Sequence, residues 1–205
     1  MIYQERGFTL VEMLVAVSLF AVVMVISAGA LLDMVSANRK AQSLQSVINN
    51  LNVALDGMVR NVRMGTTYHC GSPTESSLNV LATRQSCASG NGLLSFESFG
   101  GSTTDNSDQW VYWVENGRLY KSEDGKRTAL AITAPEIQID SFRVYVTGAT
   151  QTLNRNGDTV QPKVVFSLQG TAAAAGNTSS VIGDEEKIRS TFNIQAVATQ
   201  RVLDL

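Results

Sequence analysis

Residues 8–32 read FTLVEMLVAVSLFAVVMVISAGALL, an apolar stretch in which Glu12 is the only charged residue. The part from Met13 to Leu32 carries no charge at all. At a rise of about 1.5 Å per residue, a helix over that part is about 30 Å long, which matches the hydrocarbon thickness of a bilayer. The stretch therefore predicts one membrane-spanning helix near the N-terminus.

A secretory signal peptide is the alternative interpretation of the same stretch. Arg6 supplies a minimal basic end, and Ala28-Gly29-Ala30 has the small residues of a signal-peptide cleavage site. The apolar region of a signal peptide, however, usually spans about 7–15 residues, and a carboxylate near its start is unusual. The length of the run and the position of Glu12 together favour a helix that is retained in the mature protein.

Glu12 is the most informative residue of the stretch. A carboxylate inside a membrane helix costs about 2.5–3.5 kcal/mol on insertion scales, and such a residue by default faces a partner or has a function. It follows Gly7-Phe-Thr-Leu-Val in the sequence. This string resembles the start of precursors in the type IV pilin and pseudopilin superfamily, in which a short polar leader ends in Gly and is followed by Phe-Thr-Leu, a hydrophobic residue and Glu.

The resemblance implies roles for three residues. A prepilin peptidase would cut the bond between Gly7 and Phe8 on the cytoplasmic side and methylate the new N-terminus of Phe8. Glu12 would become the fifth mature residue and pair with the N-terminal ammonium of a neighbouring subunit, since either charge alone is costly in lipid. Many major pilins also have a Pro in this segment. This chain has none before Pro73, so we expect a straighter helix.

The implied partners and location follow from the same resemblance. The partners are other pilin or pseudopilin subunits that pack through the N-terminal helix, the prepilin peptidase, and an inner-membrane assembly platform. The location is the bacterial inner membrane, with a single span and a globular domain in the periplasm. No nucleic acid is expected as a partner, because 16 basic residues face 18 acidic ones without forming a basic block.

A heptad stripe predicts that the helix continues beyond the membrane. Its apolar positions alternate at spacings of four and three: Ala37, Ala41, Leu44, Ile48, Leu51, Leu55, Met58 and Val62. The helix would run from Phe8 to about Arg63, a length of about 84 Å, and stop at Gly65. A free coiled coil is the generic alternative, but the change from Ala to Leu along the stripe favours docking on a sheet.

The chain after Gly65 is predicted to be β-rich, because Gly, Ser, Thr and Asn punctuate short apolar runs. Trp110-Val-Tyr-Trp-Val114 is apolar on both alternating faces, which is typical of a central strand. Asn116-Gly117 then predicts a type I′ turn, and Arg118-Leu-Tyr-Lys121 the returning strand. This aromatic hairpin with Asn-Gly-Arg-Leu also looks like the one in J-like minor pseudopilins of type II secretion, and similar hairpins occur in some minor pilins.

The pattern predicts an α+β fold with a long N-terminal helix, half in the membrane and half amphipathic, packed on a C-terminal antiparallel sheet. The resemblance to pilins implies the same pilin-like arrangement. A bulge is expected between Ile139 and Phe142, where the apolar phase shifts. Further strands are predicted at 137–146, 164–168 and 188–198, with a surface loop at 170–180.

Four regions are expected along the chain. Residues 1–7 would form the cleaved prepilin leader, and residues 8–32 the transmembrane and assembly helix. Residues 33–64 would be the amphipathic periplasmic continuation of the helix. Residues 65–205 would form the β-rich globular domain.

Cys70 and Cys87 both follow the membrane segment. Thiols tend to oxidise on the extracytoplasmic side, so the even count predicts a disulfide between them. His69 beside Cys70 raises the question of zinc, but zinc normally takes four ligands and this is the only His. No metal site and no cofactor are therefore predicted.

Two oxygen-rich segments leave open the alternative of a calcium site. Asp105-Asn-Ser-Asp108 and Asn154-Arg-Asn-Gly-Asp158 have spacings that could ligate calcium. Neither has the Glu that completes an EF-hand loop, and both are more typical of plain turns.

The sequence predicts no catalytic residues and no enzymatic activity. A Ser-His-acid set would have to use His69, which has no Gly-x-Ser-x-Gly partner, and there is no phosphate-binding glycine loop. The predicted function is that of a minor pseudopilin, a structural subunit of a type II secretion pseudopilus that acts at the filament tip in assembly initiation. The alternatives are a minor type IV pilin of a pilus or DNA-uptake system, and a secreted binding module with an ordinary signal peptide.

Overall fold

The computed structural model describes residues 7–102, 104–150, 161–173 and 189–201. The chain divides into two compact units, Met1–Gln42 and Ser43–Leu205. Several features predicted from the sequence lie outside the described residues: residues 1–6 of the leader, the Asn154–Asp158 segment, residues 174–180 of the loop, and Ile188 at the start of the last strand.

The predicted α+β architecture is confirmed. A long helix, α1, runs from Leu10 to Met64 and ends just before Gly65, and antiparallel β-sheets follow it. The only other helix in the described ranges is α2, which has four residues, Leu78–Leu81.

Nine strands form two antiparallel sheets within the described residues. The five-stranded sheet has the order β1-β3-β4-β5-β6, and the four-stranded sheet has the order β2-β7-β8-β9. Their bounds are β1 Thr66–Gly71, β2 Cys87–Asn91, β3 Leu93–Glu97, β4 Gln109–Glu115, β5 Arg118–Ser122, β6 Leu130–Ala131, β7 Ile137–Thr147, β8 Lys163–Ala173 and β9 Arg189–Thr199.

The predicted hairpin is confirmed as β4–β5. Glu115 pairs with Arg118, and Asn116 and Gly117 take φ values of 49° and 71°. Positive φ at both central positions defines the type I′ turn. The central placement of β4, between β3 and β5, explains why its sequence is apolar on both faces.

The second half of α1 packs on the sheets mostly as the stripe predicts. Leu51, Leu55, Met58 and Val62 are buried in one core with residues of both sheets. The prediction is wrong for Ile48, which is 40% exposed, whereas Val47 is buried. On an ideal helix these two side chains lie about 50° to either side of the centre of the stripe, so the heptad pattern cannot tell which of them the sheets will cover.

The strand predictions at 137–146, 164–168 and 188–198 are confirmed by β7, β8 and β9. The ladder between β7 and β8 shifts register between Ile139 and Ser141, where the bulge is predicted. The loop predicted at 170–180 is wrong for residues 170–173, because β8 continues to Ala173 opposite β9. Gly170 suits that ladder, since a Cβ there would overlap the carbonyl of Gln138 and lie 2.7 Å from the ring of Phe192.

The five-stranded sheet has apolar packing on both of its faces. On one face Phe96, Tyr112 and Leu119 belong to the main core that α1 covers. On the other face a smaller core consists of Leu81 from α2 with Leu93, Val111 and Trp113, and Tyr120 packs against it.

Candidate assembly segment and processing site

The start of α1 is capped by a residue of the same segment. The Thr9 hydroxyl oxygen accepts a hydrogen bond from the backbone N–H of Glu12 at 3.3 Å, and the Thr9 carbonyl accepts one from the N–H of Met13 at 3.2 Å. An N-cap Thr satisfies one of the backbone donors that a helix start leaves free. Glu12 is therefore the third residue of the helix, and Phe8 lies outside it.

Gly7 is not required by the fold of the described residues. A Cβ at position 7 would have no atom within 4 Å, and the backbone there does not lie in the left-handed region. A side chain could be added without a clash or backbone strain. The fold of the described residues therefore does not explain why this position is a glycine.

The first part of α1 exposes a continuous apolar surface. Phe8, just before the helix, is 77% exposed, and all residues from Leu10 to Asn38 are exposed. Within the described part of the chain, α1 is the one helix that is long and apolar enough to span a membrane, although a signal sequence meets the same criteria of length and composition. Such a surface is stable only when lipid or another protein covers it.

The Glu12 carboxylate has no hydrogen bond or ion pair to any described residue. Its backbone N–H is bonded to Thr9, but the side chain is exposed among apolar neighbours that provide no cation. The sequence contains Glu5, Arg6, Asp33 and Arg39 as the nearest charged residues on either side. A carboxylate carried into lipid without a partner is costly.

The N-terminal segment also matches a known family model. The model of the prokaryotic N-terminal methylation motif matches residues 3–28. The chain carries the type IV pilin and pseudopilin signature. The match covers Gly7, Phe8 and Glu12 and ends before the second half of α1. No curated protein and no solved structure matches this pilin-like chain.

Thr9 is the residue of this segment that the sequence reasoning missed. Thr9-Leu-Val-Glu12 has the Ser/Thr-x-x-Glu form of a capping box, which marks a helix start directly before an apolar run. In the structure the Thr9 hydroxyl accepts the N–H of Glu12, as a capping box requires. The reciprocal hydrogen bond, from the N–H of Thr9 to the Glu12 carboxylate, is not formed. The helix start of the pilin-like chain is thus set without use of the carboxylate.

The two cysteines are joined by a disulfide in the structure. The bond links Cys70 of β1 to Cys87 of β2, with a Cα–Cα distance of 5.8 Å. Because β1 and β2 belong to different sheets, it ties the two sheets together. It also closes the loop that carries α2, whose Leu81 fills the smaller core.

His69, directly before Cys70, contacts two residues of this disulfide loop. Its ring Nδ1 lies 3.0 Å from the Thr83 carbonyl oxygen, and its Nε2 lies 2.8 Å from a carboxylate oxygen of Glu75. Partial burial acts to raise the pKa of Glu75. The net effect is nevertheless a pKa below the ordinary value, because three influences outweigh burial: the hydrogen bond with His69, a backbone hydrogen bond with Ser72, and the charges of His69 and Lys126. Both ring nitrogens therefore have partners that hold the loop.

The Asp105–Asp108 segment forms a turn. Asp105 Oδ1 accepts the N–H of Ser107 at 2.9 Å, and Asp108 Oδ2 accepts the N–H of Ser102 at 2.9 Å. The hydrogen bonds from Ser107 hold the pKa of Asp105 below its ordinary value. Among the described residues, no three His, Cys, Asp or Glu side chains are grouped so that they could hold a metal.

Proposed function

We propose that this chain is a minor pseudopilin, a structural subunit of a type II secretion pseudopilus that is processed by prepilin peptidase and acts at the filament tip in assembly initiation. The observation that carries the proposal is the Glu12 carboxylate, which has no partner within the described residues and stands in an exposed apolar helix that bears the methylation motif. Proteins with this motif are structural subunits, which supports a role in assembly and not in catalysis.

Processing would create a cationic partner for Glu12. Hydrolysis of the peptide bond between Gly7 and Phe8 consumes one water and leaves a free amino group on Phe8. That group stays cationic after a single methylation, because a secondary amine still takes up a proton. A charged N-terminus is then present in every processed subunit, close to the start of its apolar helix.

The pairing would act between subunits. Glu12 of one chain and the Phe8 ammonium of its neighbour are each costly in lipid alone, and they offset that cost when they form an ion pair. A subunit already in the filament would thus favour an incoming one whose helix is inserted to matching depth. The exposed apolar surface of the helix supplies the remaining contact area.

The β-rich unit supports placement on the periplasmic side of the inner membrane. Its disulfide suits an oxidising compartment, because cytosolic thiols are kept reduced. The β4–β5 hairpin, with its type I′ turn at Asn116-Gly117, supports the J-like minor pseudopilin subtype by resemblance. A minor type IV pilin of a pilus or DNA-uptake system is the second candidate, since similar hairpins occur there.

The N-terminus of the mature protein tests the proposal. The chain would be purified from membranes of its native bacterium, and its N-terminal peptide analysed by mass spectrometry. The expected result is a start at N-methyl-Phe8. A start at Leu31 would instead indicate signal-peptidase cleavage after Ala28-Gly29-Ala30 and a secreted binding module, and would overturn the proposal.

A further inference from the structure

The end of β3 and the start of β4 hold a cluster of buried polar side chains that has no role in the assembly segment. Glu97 and Gln109 are both 2% exposed, and they face each other across the β3–β4 ladder. Asp108 precedes Gln109 directly. Burial of an acidic side chain to this degree is rare unless the charge is compensated.

Three oxygen atoms of this cluster lack a hydrogen-bond partner. They are Glu97 Oε1, Asp108 Oδ1 and Gln109 Oε1. The amide nitrogen of Gln109 donates to the other carboxylate oxygen of Glu97, and the other oxygen of Asp108 accepts the N–H of Ser102. Each of the three side chains is thus fixed by one bond and leaves one oxygen unsatisfied.

The connecting loop folds closely over the two carboxylates. A Cβ at Gly101 would overlap Glu97 Oε1 and would lie 3.2 Å from Asp108 Oδ2. Gly100, directly before it, has a φ of +84°, a conformation that L side chains rarely adopt. The absence of a side chain at Gly101 therefore lets the backbone approach both carboxylates, and oxygens of Glu97 and Asp108 both lie near this one residue.

We infer that Glu97, Asp108 and Gln109 form the side-chain part of a Ca²⁺ site at the β3–β4 junction. The two carboxylates and the amide carbonyl supply oxygen ligands, which Ca²⁺ prefers, and further oxygen ligands such as water would complete the six to eight that it takes. The cluster contains no nitrogen or sulfur ligand of the kind that zinc or copper would favour. Three side-chain ligands are few, so we expect an affinity in the range of about 10⁻⁴–10⁻³ M, as in extracellular modules.

The charges of the cluster agree with this inference. Burial first, and then the negative charge of Asp108, raise the pKa of Glu97 to about 7, and Asp105 adds to the repulsion. A divalent cation would remove the same repulsion that otherwise favours a proton on Glu97. The inference does not depend on the proposed function, because it concerns only the β-rich unit.

Calcium binding to the full chain tests the inference. The purified protein in a non-ionic detergent would be treated with EDTA, exchanged into chelator-free buffer at pH 8, and titrated with CaCl₂ by calorimetry and by thermal unfolding. We expect one Ca²⁺ per chain, and a rise in Tm of about 3–6 °C at about ten times Kd. Glu97→Gln and Asp108→Asn should each weaken binding at least tenfold.

Glu136→Gln is the matched control, because Glu136 is an exposed acid outside the cluster. It should bind Ca²⁺ like the wild type. Without Ca²⁺ at pH 8, Glu97→Gln should fold and be at least as stable as the wild type, since it removes a repulsive charge. A wild type that binds no Ca²⁺ at 10 mM would overturn the inference, and so would Glu97→Gln binding with unchanged affinity. Stabilisation by low pH alone, with no response to Ca²⁺, would show that the cluster holds a shared proton instead.

Discussion

The Thr9 hydroxyl oxygen accepts the backbone N–H of Glu12 at 3.3 Å, while the Glu12 side chain makes no bond to any described residue. The helix start is thus satisfied by Thr9, and Glu12 contributes only its backbone to it. The helix macrodipole favours an acidic side chain in the first turn by about 0.3–1 kcal/mol, which is less than the cost of about 2.5–3.5 kcal/mol for a carboxylate inside the membrane. A role toward another subunit accounts for a carboxylate here despite that net cost.

Gly7→Val should block removal of the leader. The structure gives no steric reason for glycine at this position, so an effect would come from recognition by the peptidase. Intact-mass analysis of the membrane fraction should show a precursor that keeps residues 1–7. Gly29→Ala is the control, because Gly29 is also free of close contacts, and it should be processed normally. Mature Gly7→Val protein would show that the cleavage assignment is wrong.

Leu51→Ala should destabilise the β-rich unit by about 2–5 kcal/mol, because Leu51 is fully buried between α1 and the sheets. Val53→Ala, two residues further along the same helix, should change the free energy of unfolding by about 0.5 kcal/mol or less, since Val53 is 73% exposed. Urea unfolding followed by tryptophan fluorescence measures both. Equal losses would mean that the helix packs through another face.

Cys70 and Cys87 should show no free thiols in unreduced, denatured protein recovered from the periplasmic side, because they form a disulfide. The Cys70→Ser, Cys87→Ser double variant should lose about 3 kcal/mol of unfolding free energy, the expected effect of a loop of this size. Maleimide labelling and urea unfolding are the two measurements. Labelling of two thiols per chain in the wild type would contradict the prediction.

Glu97 should make the stability of the β-rich unit depend on pH in the absence of divalent cations. Its folded-state pKa of about 7 lies above the ordinary 4.5, so folding favours the protonated form. This stabilisation is complete below about pH 4.5 and is lost as the pH rises through about 7, up to about 3 kcal/mol in all.

The difference between the wild type and Glu97→Gln removes the contribution of titrating groups that do not interact with Glu97. In EDTA, the free energy of unfolding of the wild type should fall relative to that of Glu97→Gln between pH 5 and pH 8. Parallel pH profiles of the two proteins would contradict the raised pKa.

Local patterns predicted much of this fold. The type I′ turn at Asn116-Gly117 and the bulge after Ile139 are encoded by neighbouring residues, and both were correct. Ile48 failed because a heptad pattern cannot tell which flank of a helix a sheet will cover. The strand at residues 170–173 was missed because a Gly, Thr and Ala run has weak propensity alone, and it is a strand only because β9 pairs along its whole length.

The two candidate sites also differ in how far the sequence alone predicts them. Gly7, Phe8 and Glu12 form a short contiguous motif, so the sequence alone was enough to single them out. Glu97 could not be found in this way, because its importance comes from burial beside Asp108 and Gln109, which the chain brings together across a strand pair. Only the fold reveals that its oxygen lacks a partner.

The most direct test of the central claim is the effect of Glu12→Gln on contact between subunits. This variant removes the charge and keeps the size of the side chain. Asp33→Asn is the matched control, because Asp33 is an exposed carboxylate of the same helix that lies outside the methylation motif.

The measurement is photocrosslinking in the native bacterium, from a benzoylphenylalanine introduced at the exposed position Val15. Adducts with other processed pilin-like subunits are quantified for the wild type and both variants, and each is checked for leader removal. We expect equal processing in all three, wild-type crosslinking for Asp33→Asn, and at least a tenfold loss for Glu12→Gln, because the neighbour's N-terminal ammonium loses its counter-charge. Undiminished crosslinking by correctly processed Glu12→Gln would contradict the account.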